Sequence, residues 1–273
     1  MLFRSYEAVD AAIARIVAAL PGDADLMVLS PLGMDVNTSR IDLLPEMLDA
    51  VLSGGSREDS STEPSADSFL WRLRSAVPTD LRAQVARALP DETAMRLTAR
   101  LSTRGVDWRR TRAFTLPGDH NGHIRLNIRG RERVGAVEPS GQNALIEEIA
   151  AGLLTFEDEG GGPAVAAVER AAEQYPGARA DLLPDLIVRW ADVPSTRLRG
   201  VRSPSFGAVA RVGVGSGRSG NHTGDAWVLL VPGTARLREP GRLPRVTDVA
   251  ATIATVLGAE TAGLAGEPLL EPA

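Results

Sequence analysis

The chain of 273 residues contains no cysteine and no lysine, and aromatic side chains make up only 4% of it. Without cysteine there are no disulfides and no thiolate chemistry, so His, Asp and Glu are left as the strong metal ligands. Without lysine, all 30 basic residues are arginine. That is a compositional bias, although a guanidinium does suit bidentate contact with oxyanions. With so few aromatics, aliphatic side chains must fill the core. Histidine is scarce too, at three residues. A net charge of −5 counts against nucleic-acid binding, which needs a basic face to neutralise phosphates. No stretch approaches the roughly 18 consecutive apolar residues of a membrane span. The first apolar segment is interrupted by Glu7 and Asp10, and Val9, Ile13, Ile16, Val17 and Leu20 follow at helical spacing. This is an amphipathic helix, unlike the apolar core of a signal peptide, and a cytoplasmic location is expected.

What is present reads as alternating helices and short apolar runs. The first helix stops at Pro21-Gly22, and Leu26–Leu29 is an uninterrupted apolar strand. A second helix carries Ile41, Leu44, Leu48, Val51 and Leu52, with Pro45 in its first turns, where proline is tolerated best. Residues 53–68 are rich in Ser, Gly and acidic side chains and read as a mobile linker. Arg-rich helical segments near Phe69–Val77, Asp80–Leu89 and Thr93–Ser102 open an insertion over 69–155. That insertion also holds a turn at Gly118–Gly122, an alternating strand at Ile124–Ile128 and a helix through Leu145, Ile149 and Leu153. Later come a helix near Val165–Glu173, apolar strands at Asp185–Val188 and Trp227–Val231, and a closing helix Val249–Leu257. Thr247 or Asp248 is its cap, and Gly258 its end. Wholly apolar strands between helices predict an α/β fold, with a mostly parallel sheet covered by helices on both faces.

Several blocks stand in an order that carries a resemblance. They are Trp108-Arg-Arg-Thr-Arg-Ala-Phe114, then Gly122-His-Ile-Arg-Leu-Asn-Ile-Arg-Gly-Arg-Glu132, Leu183-Pro-Asp-Leu-Ile-Val-Arg-Trp190, and Asp248-Val-Ala-Ala-Thr-Ile-Ala-Thr-Val-Leu-Gly258. Together they resemble the type I phosphodiesterase and nucleotide-pyrophosphatase branch of the alkaline phosphatase superfamily, over about residues 1 to 270. The resemblance implies a single alkaline-phosphatase-like α/β domain over 1–273 that lacks its N-terminal part. It also implies ancestral hydrolysis of phosphate esters or nucleotides with two divalent metals, zinc or manganese. Gly220-Asn221-His222 resembles the family's late G-x-H, whose histidine is a metal ligand. Ser30-Pro31-Leu32-Gly33-Met34 resembles S-D-H-G-M, but Pro31 and Leu32 replace the two ligands and cannot donate to a metal.

By this reading His222 is the one surviving ligand, vestigial or shared, and its plain alternative is a solvated histidine in a glycine-rich loop. A catalytic metal normally takes three protein ligands, so no cofactor is expected for this chain alone and no catalytic residue is assigned. The remaining ligands and the nucleophile of such an enzyme would lie upstream of the part that matches. His120 and His123, with Asp119, bracket a turn that needs no metal, and Asp35 lies too far along to replace Leu32. Arg96, Arg100, Arg104, Arg109, Arg110 and Arg112 could steer an anion, but more simply form a solvated, acid-paired face. Gly213-Val-Gly-Ser-Gly217 opens no helix and is not a dinucleotide fingerprint.

Two functions compete: a phosphohydrolase relative that is inactive alone, and a non-catalytic interaction protein. One half of a split hydrolase is a third, which the damage at positions 31 and 32 disfavours. A homo-oligomer or a partner chain is expected, because strands left without neighbours expose an apolar edge.

Overall fold

The computed structural model describes residues 2–55, 106–118, 120–211 and 217–273, which form two compact units. The first unit is Met1–Asp35 with His222–Ala273, and the second is Val36–Asn221. The linker expected over 53–68 and the helical segments expected over 69–102 fall, from residue 56 on, outside the described residues. So do Asp119 and the glycine run up to residue 216.

The first unit begins with helix α1, Leu2–Ala18, whose apolar face comes from Tyr6, Val9, Ile13 and Ile16. Strand β1, Leu26–Ser30, follows it. Strand β2, Gly33–Val36, and strand β10, Gly220–Thr223, are the points at which the chain passes between units. Strand β11, Trp227–Val231, pairs antiparallel with β1, Leu26 opposite Val231 and Ser30 opposite Trp227. Asp25 fastens the turn after β11: its carboxylate accepts from the backbone N–H groups of Gly233 (2.8 Å), Thr234 (3.1 Å) and Ala235 (2.8 Å).

Strand β12, Arg236–Leu237, pairs antiparallel with β13, Leu270–Glu271, and helix α5, Val246–Val256, lies between them in sequence. The helix starts at Val246, with Arg245 as its cap instead of the expected Thr247 or Asp248. Asp248 sits in its first turn and reaches back to the N–H of Arg245 at 2.7 Å. Gly258 ends it at φ 65°, a conformation that glycine adopts without a Cβ penalty.

In the second unit helix α2 is Leu44–Leu52, with Pro45 in its first turn as its sequence suggests. Strands β3, Ala113–Leu116, and β4, Gly122–Leu126, form an antiparallel hairpin. Helix α3 is Gln142–Leu153, and the short strand β5 is Glu157–Asp158. Strand β6, Val165–Arg170, precedes the one-turn helix α4, Ala171–Gln174, and strand β7, Leu186–Trp190. The order β3-β4-β7-β6 makes a four-stranded sheet whose pairings are all antiparallel. Strands β8, Gly200–Ser203, and β9, Gly207–Ala210, join β5 in a three-stranded antiparallel sheet.

The core is built on period-two alternation. Gly122, Ile124 and Leu126 point inward while His123 and Arg125 do not. Ile124, Leu126, Leu186 and Val188 pack in one cluster with Leu44, Met47, Leu48 and Val51 of α2 and with Leu145, Ile149 and Leu153 of α3. At Gly122 a Cβ would lie 2.6 Å from Leu44 Cδ2 and 3.0 Å from Val188 Cβ, so the sheet approaches the helix only because that residue is glycine.

This architecture overturns the expected mostly parallel α/β, alkaline-phosphatase-like sheet. The described residues hold small antiparallel sheets and no parallel one. Of the apolar runs expected to be strands buried on both faces, only the central strand β7 behaves so. No residue of β1 or β11 is buried. The expected helix over Val165–Glu173 is strand β6 followed by α4, because pairing with β7 outweighs the helical propensity of its alanines and glutamate.

Candidate functional site

Three of the four blocks that carry the resemblance, Trp108–Phe114, Gly122–Glu132 and Leu183–Trp190, meet in the second unit as a polar clamp, and the fourth, Asp248–Gly258, belongs to the first unit. The Arg131 guanidinium donates to both carboxylate oxygens of Asp185, each at 2.7 Å, and to the Leu126 carbonyl at 2.6 Å. The Leu126 N–H donates to Asp185 as well, at 2.7 Å. Glu132 accepts from Arg125 at 2.7 Å and from Arg131 at 3.0 Å. Buried Asn127 donates through its side chain to the carbonyls of Trp108 (2.7 Å) and Thr111 (2.8 Å). Trp108 packs edge-on against Phe114, ring centres 5.1 Å apart. Asp185 also holds the Arg131 charge more firmly than usual, chiefly through those hydrogen bonds. Every polar group here is engaged by another, so the motif blocks act as an internal brace.

The residues tied to metal chemistry lie elsewhere. His222 is exposed on β10 in the first unit. Pro31 and Leu32 are exposed in the turn between β1 and β2, where the Ser30 hydroxyl donates to the Leu32 carbonyl at 2.8 Å. Asp35 is exposed as well. Among the described residues no group of three or more His, Asp or Glu side chains is placed to hold a metal ion. The donors present do not fit the two-metal centre that the resemblance implies, and no catalytic step is derived through one.

The Arg-rich stretch is partly described, and there it pairs with acids. Arg112 donates to Glu148 at 2.6 and 3.0 Å, and exposed Arg110 lies 3.8 Å from Asp107.

Among the described residues of the second unit, two cavities are of note. The larger, about 230 Å³, is lined by Asn37, Ser195, Thr196, Arg211, Arg218 and Ser219. Its buried polar groups are committed within the fold. Arg211 donates to both oxygens of Asp42 (2.6 and 3.0 Å) and to the Ser195 carbonyl, and the Ser195 hydroxyl donates to the Ser39 carbonyl at 2.7 Å.

The smaller cavity, about 190 Å³, lies over the outer face of the four-stranded sheet and is lined by Asn121, His123, Tyr175, Arg189 and apolar neighbours. Burial, and then the charge of Arg189, holds the His123 imidazole below its ordinary pKa, so it is neutral at pH 7. The histidine pair at the turn is therefore divided. His123 belongs to a cavity, whereas the Nδ1 atom of His120 is buried without a hydrogen-bond partner among the described residues. Sequence reading missed Tyr175 and Arg189, which stand 52 and 66 residues beyond His123 and are gathered by the β4–β7 pairing.

No helix among the described residues is long and apolar enough to cross a membrane. No protein-family model, curated protein or solved structure matches the chain.

Proposed function

We propose that this chain is a non-catalytic, self-associating interaction protein which keeps hydrolase-like motifs as structural braces and does not turn over phosphate esters by itself. The observation that carries the reading is the apolar surface of the first unit. Trp227 is 56% exposed and Leu229 53%, on one face of a two-stranded ribbon that no other strand extends among the described residues. Such a ribbon is marginal alone in water, and its open edges are templates for another strand. Helix α1 presents Phe3 (83% exposed) and Tyr6 (71%), together with Val9, Ile13 and Ile16, to solvent.

The occupant we favour is a second copy. With aromatic side chains of roughly 200 Å² each, Phe3, Tyr6 and Trp227 alone expose on the order of 400 Å². That is about half of the roughly 800 Å² per partner in a standard interface. Val9, Ile13, Ile16, Leu229 and Val231 supply more, and a twofold contact uses the same patch on both chains. The net charge of −5 supports a protein partner over nucleic acid. The cytoplasm suits such a chain, whose fold owes nothing to disulfides.

Association makes thermal stability depend on concentration. A hundredfold dilution is expected to lower the melting temperature. A melting temperature unchanged over that range contradicts the reading.

A further inference from the structure

We propose that the cavity over the outer face of the four-stranded sheet binds a small organic carboxylate carrying one further polar group. The inference is independent of self-association, because it concerns the second unit alone.

Four polar side chains of different kinds converge there from three places in the chain: Asn121 and His123 at the start of β4, Tyr175 just after α4, and Arg189 on β7. The strand register explains the convergence. His123 stands opposite Ile187, and Arg189 lies two residues farther along the same strand, so all three project from the face opposite to buried Ile124 and Val188. Ala171, Leu183, Pro184 and Ile187 supply apolar wall. A few polar groups set into an apolar dimple are the usual composition of a small-molecule site. At about 190 Å³ the cavity is smaller than the roughly 300–1,000 Å³ of drug-sized sites. Its ligand is therefore of small-metabolite size.

The polar groups have capacity to spare. The Arg189 guanidinium, paired with Glu169, spends its Nε–H on that carboxylate at 3.0 Å, and its two Nη groups make no hydrogen bond among the described residues. An arginine with two parallel donors left over is suited to a carboxylate. The side chains of Asn121 and Tyr175 and the His123 ring likewise have no hydrogen-bond partner among the described residues. A neutral imidazole can donate or accept one hydrogen bond, and an amide and a phenol do both. They match a hydroxyl or keto oxygen beside the carboxylate. Glu169 leaves the site with little net positive charge, which disfavours a polyanion such as a nucleotide and fits a single carboxylate.

The probe is sodium 2-hydroxybutyrate, titrated into the full chain while the His123 ring protons are followed by NMR, with sodium chloride at equal ionic strength as reference. A saturable shift, weakened at least tenfold by Arg189→Met and several-fold by Tyr175→Phe, is expected. Tyr175 is exposed, so its variant keeps the fold if Arg189→Met does not. A shift that never saturates, or that matches the chloride control, overturns the proposal. So does saturable binding that both variants leave intact. Equal competition by sulfate would also overturn it, by showing a general oxyanion site instead of a carboxylate site.

Discussion

Arg40 and Asp158, 118 residues apart in sequence, close a two-pronged ion pair in which the arginine side chain has no exposed surface. The same guanidinium also donates to the carbonyls of Thr38 at 2.6 Å and Ala191 at 3.1 Å. It thereby ties α2's approach to the end of β7 and to the three-stranded sheet.

Asp158→Ala leaves that charge buried and unpaired, and is expected to destabilise the second unit by roughly 3–5 kcal/mol. Urea unfolding monitored by circular dichroism measures it. The double variant Arg40→Met/Asp158→Ala should recover part of the loss, because it removes the orphaned charge. A single variant within about 0.5 kcal/mol of the parent, the range of ordinary surface substitutions, would contradict the role given to the pair.

Helix α3 meets α2 at Gly152, where an added Cβ would lie 2.6 and 2.8 Å from the two methyls of Val51. Gly152→Val is therefore expected to cost about 1–3 kcal/mol by overpacking, despite valine's apolar character. Val51→Ala in the same chain should relieve part of that cost, and thermal unfolding of the two variants reads the coupling.

Two aspartates of the first unit set its acid sensitivity. Arg242 holds the Asp248 carboxyl far below the ordinary aspartate value of 3.8, with help from the N–H groups of Arg245 and Glu267 and against the effect of burial. The N–H groups of Ala235 and Gly233 lower Asp25 in the same way. Since both folded values lie below the unfolded one, their stabilisation is complete above about pH 4 and disappears as pH falls through the folded values. The melting temperature should drop between pH 4 and pH 2, and Asp248→Asn should lower it at pH 7 while flattening that dependence. A parent and variant with parallel pH profiles would count against the assignment.

Much of the local structure was legible in the sequence, and the assembly of strands was not. The amphipathic helices α1, α2 and α3 show their periodicity in Ile13, Leu48 and Ile149, and the alternation through Ile124 and Leu126 marked β4 as a strand. Pairing partners and burial depend on residues far away in the chain. Leu26–Leu29 and Trp227–Val231 have the composition of core strands, yet they pair with each other and every residue of both is half-buried or exposed. The pairs Arg40–Asp158 and Arg211–Asp42 span 118 and 169 residues, and no local pattern announces them. The motif blocks were visible, but their bonding through Asn127, Arg131 and Asp185 shows them bracing the fold instead of presenting donors to a ligand. His222 matches the family's metal ligand by resemblance, and among the described residues no group of three or more His, Asp or Glu side chains is placed to hold a metal ion.

Purified protein is accordingly expected to hold zinc and manganese below one ion per chain, and to leave p-nitrophenyl phosphate and its diester intact. Elemental analysis and a colorimetric assay check both. Two bound ions per chain, together with turnover that His222→Ala abolishes, would refute this.

The most direct test of self-association is light scattering coupled to size exclusion, on the parent chain and on Leu229→Glu, which puts a charge on the exposed face of β11. The account predicts a parent mass near twice the 28.9 kDa of one chain, and a mass near 28.9 kDa for the variant with its folded spectrum retained. A parent that elutes as a stable 28.9 kDa monomer with a sharp, concentration-independent melt would contradict it.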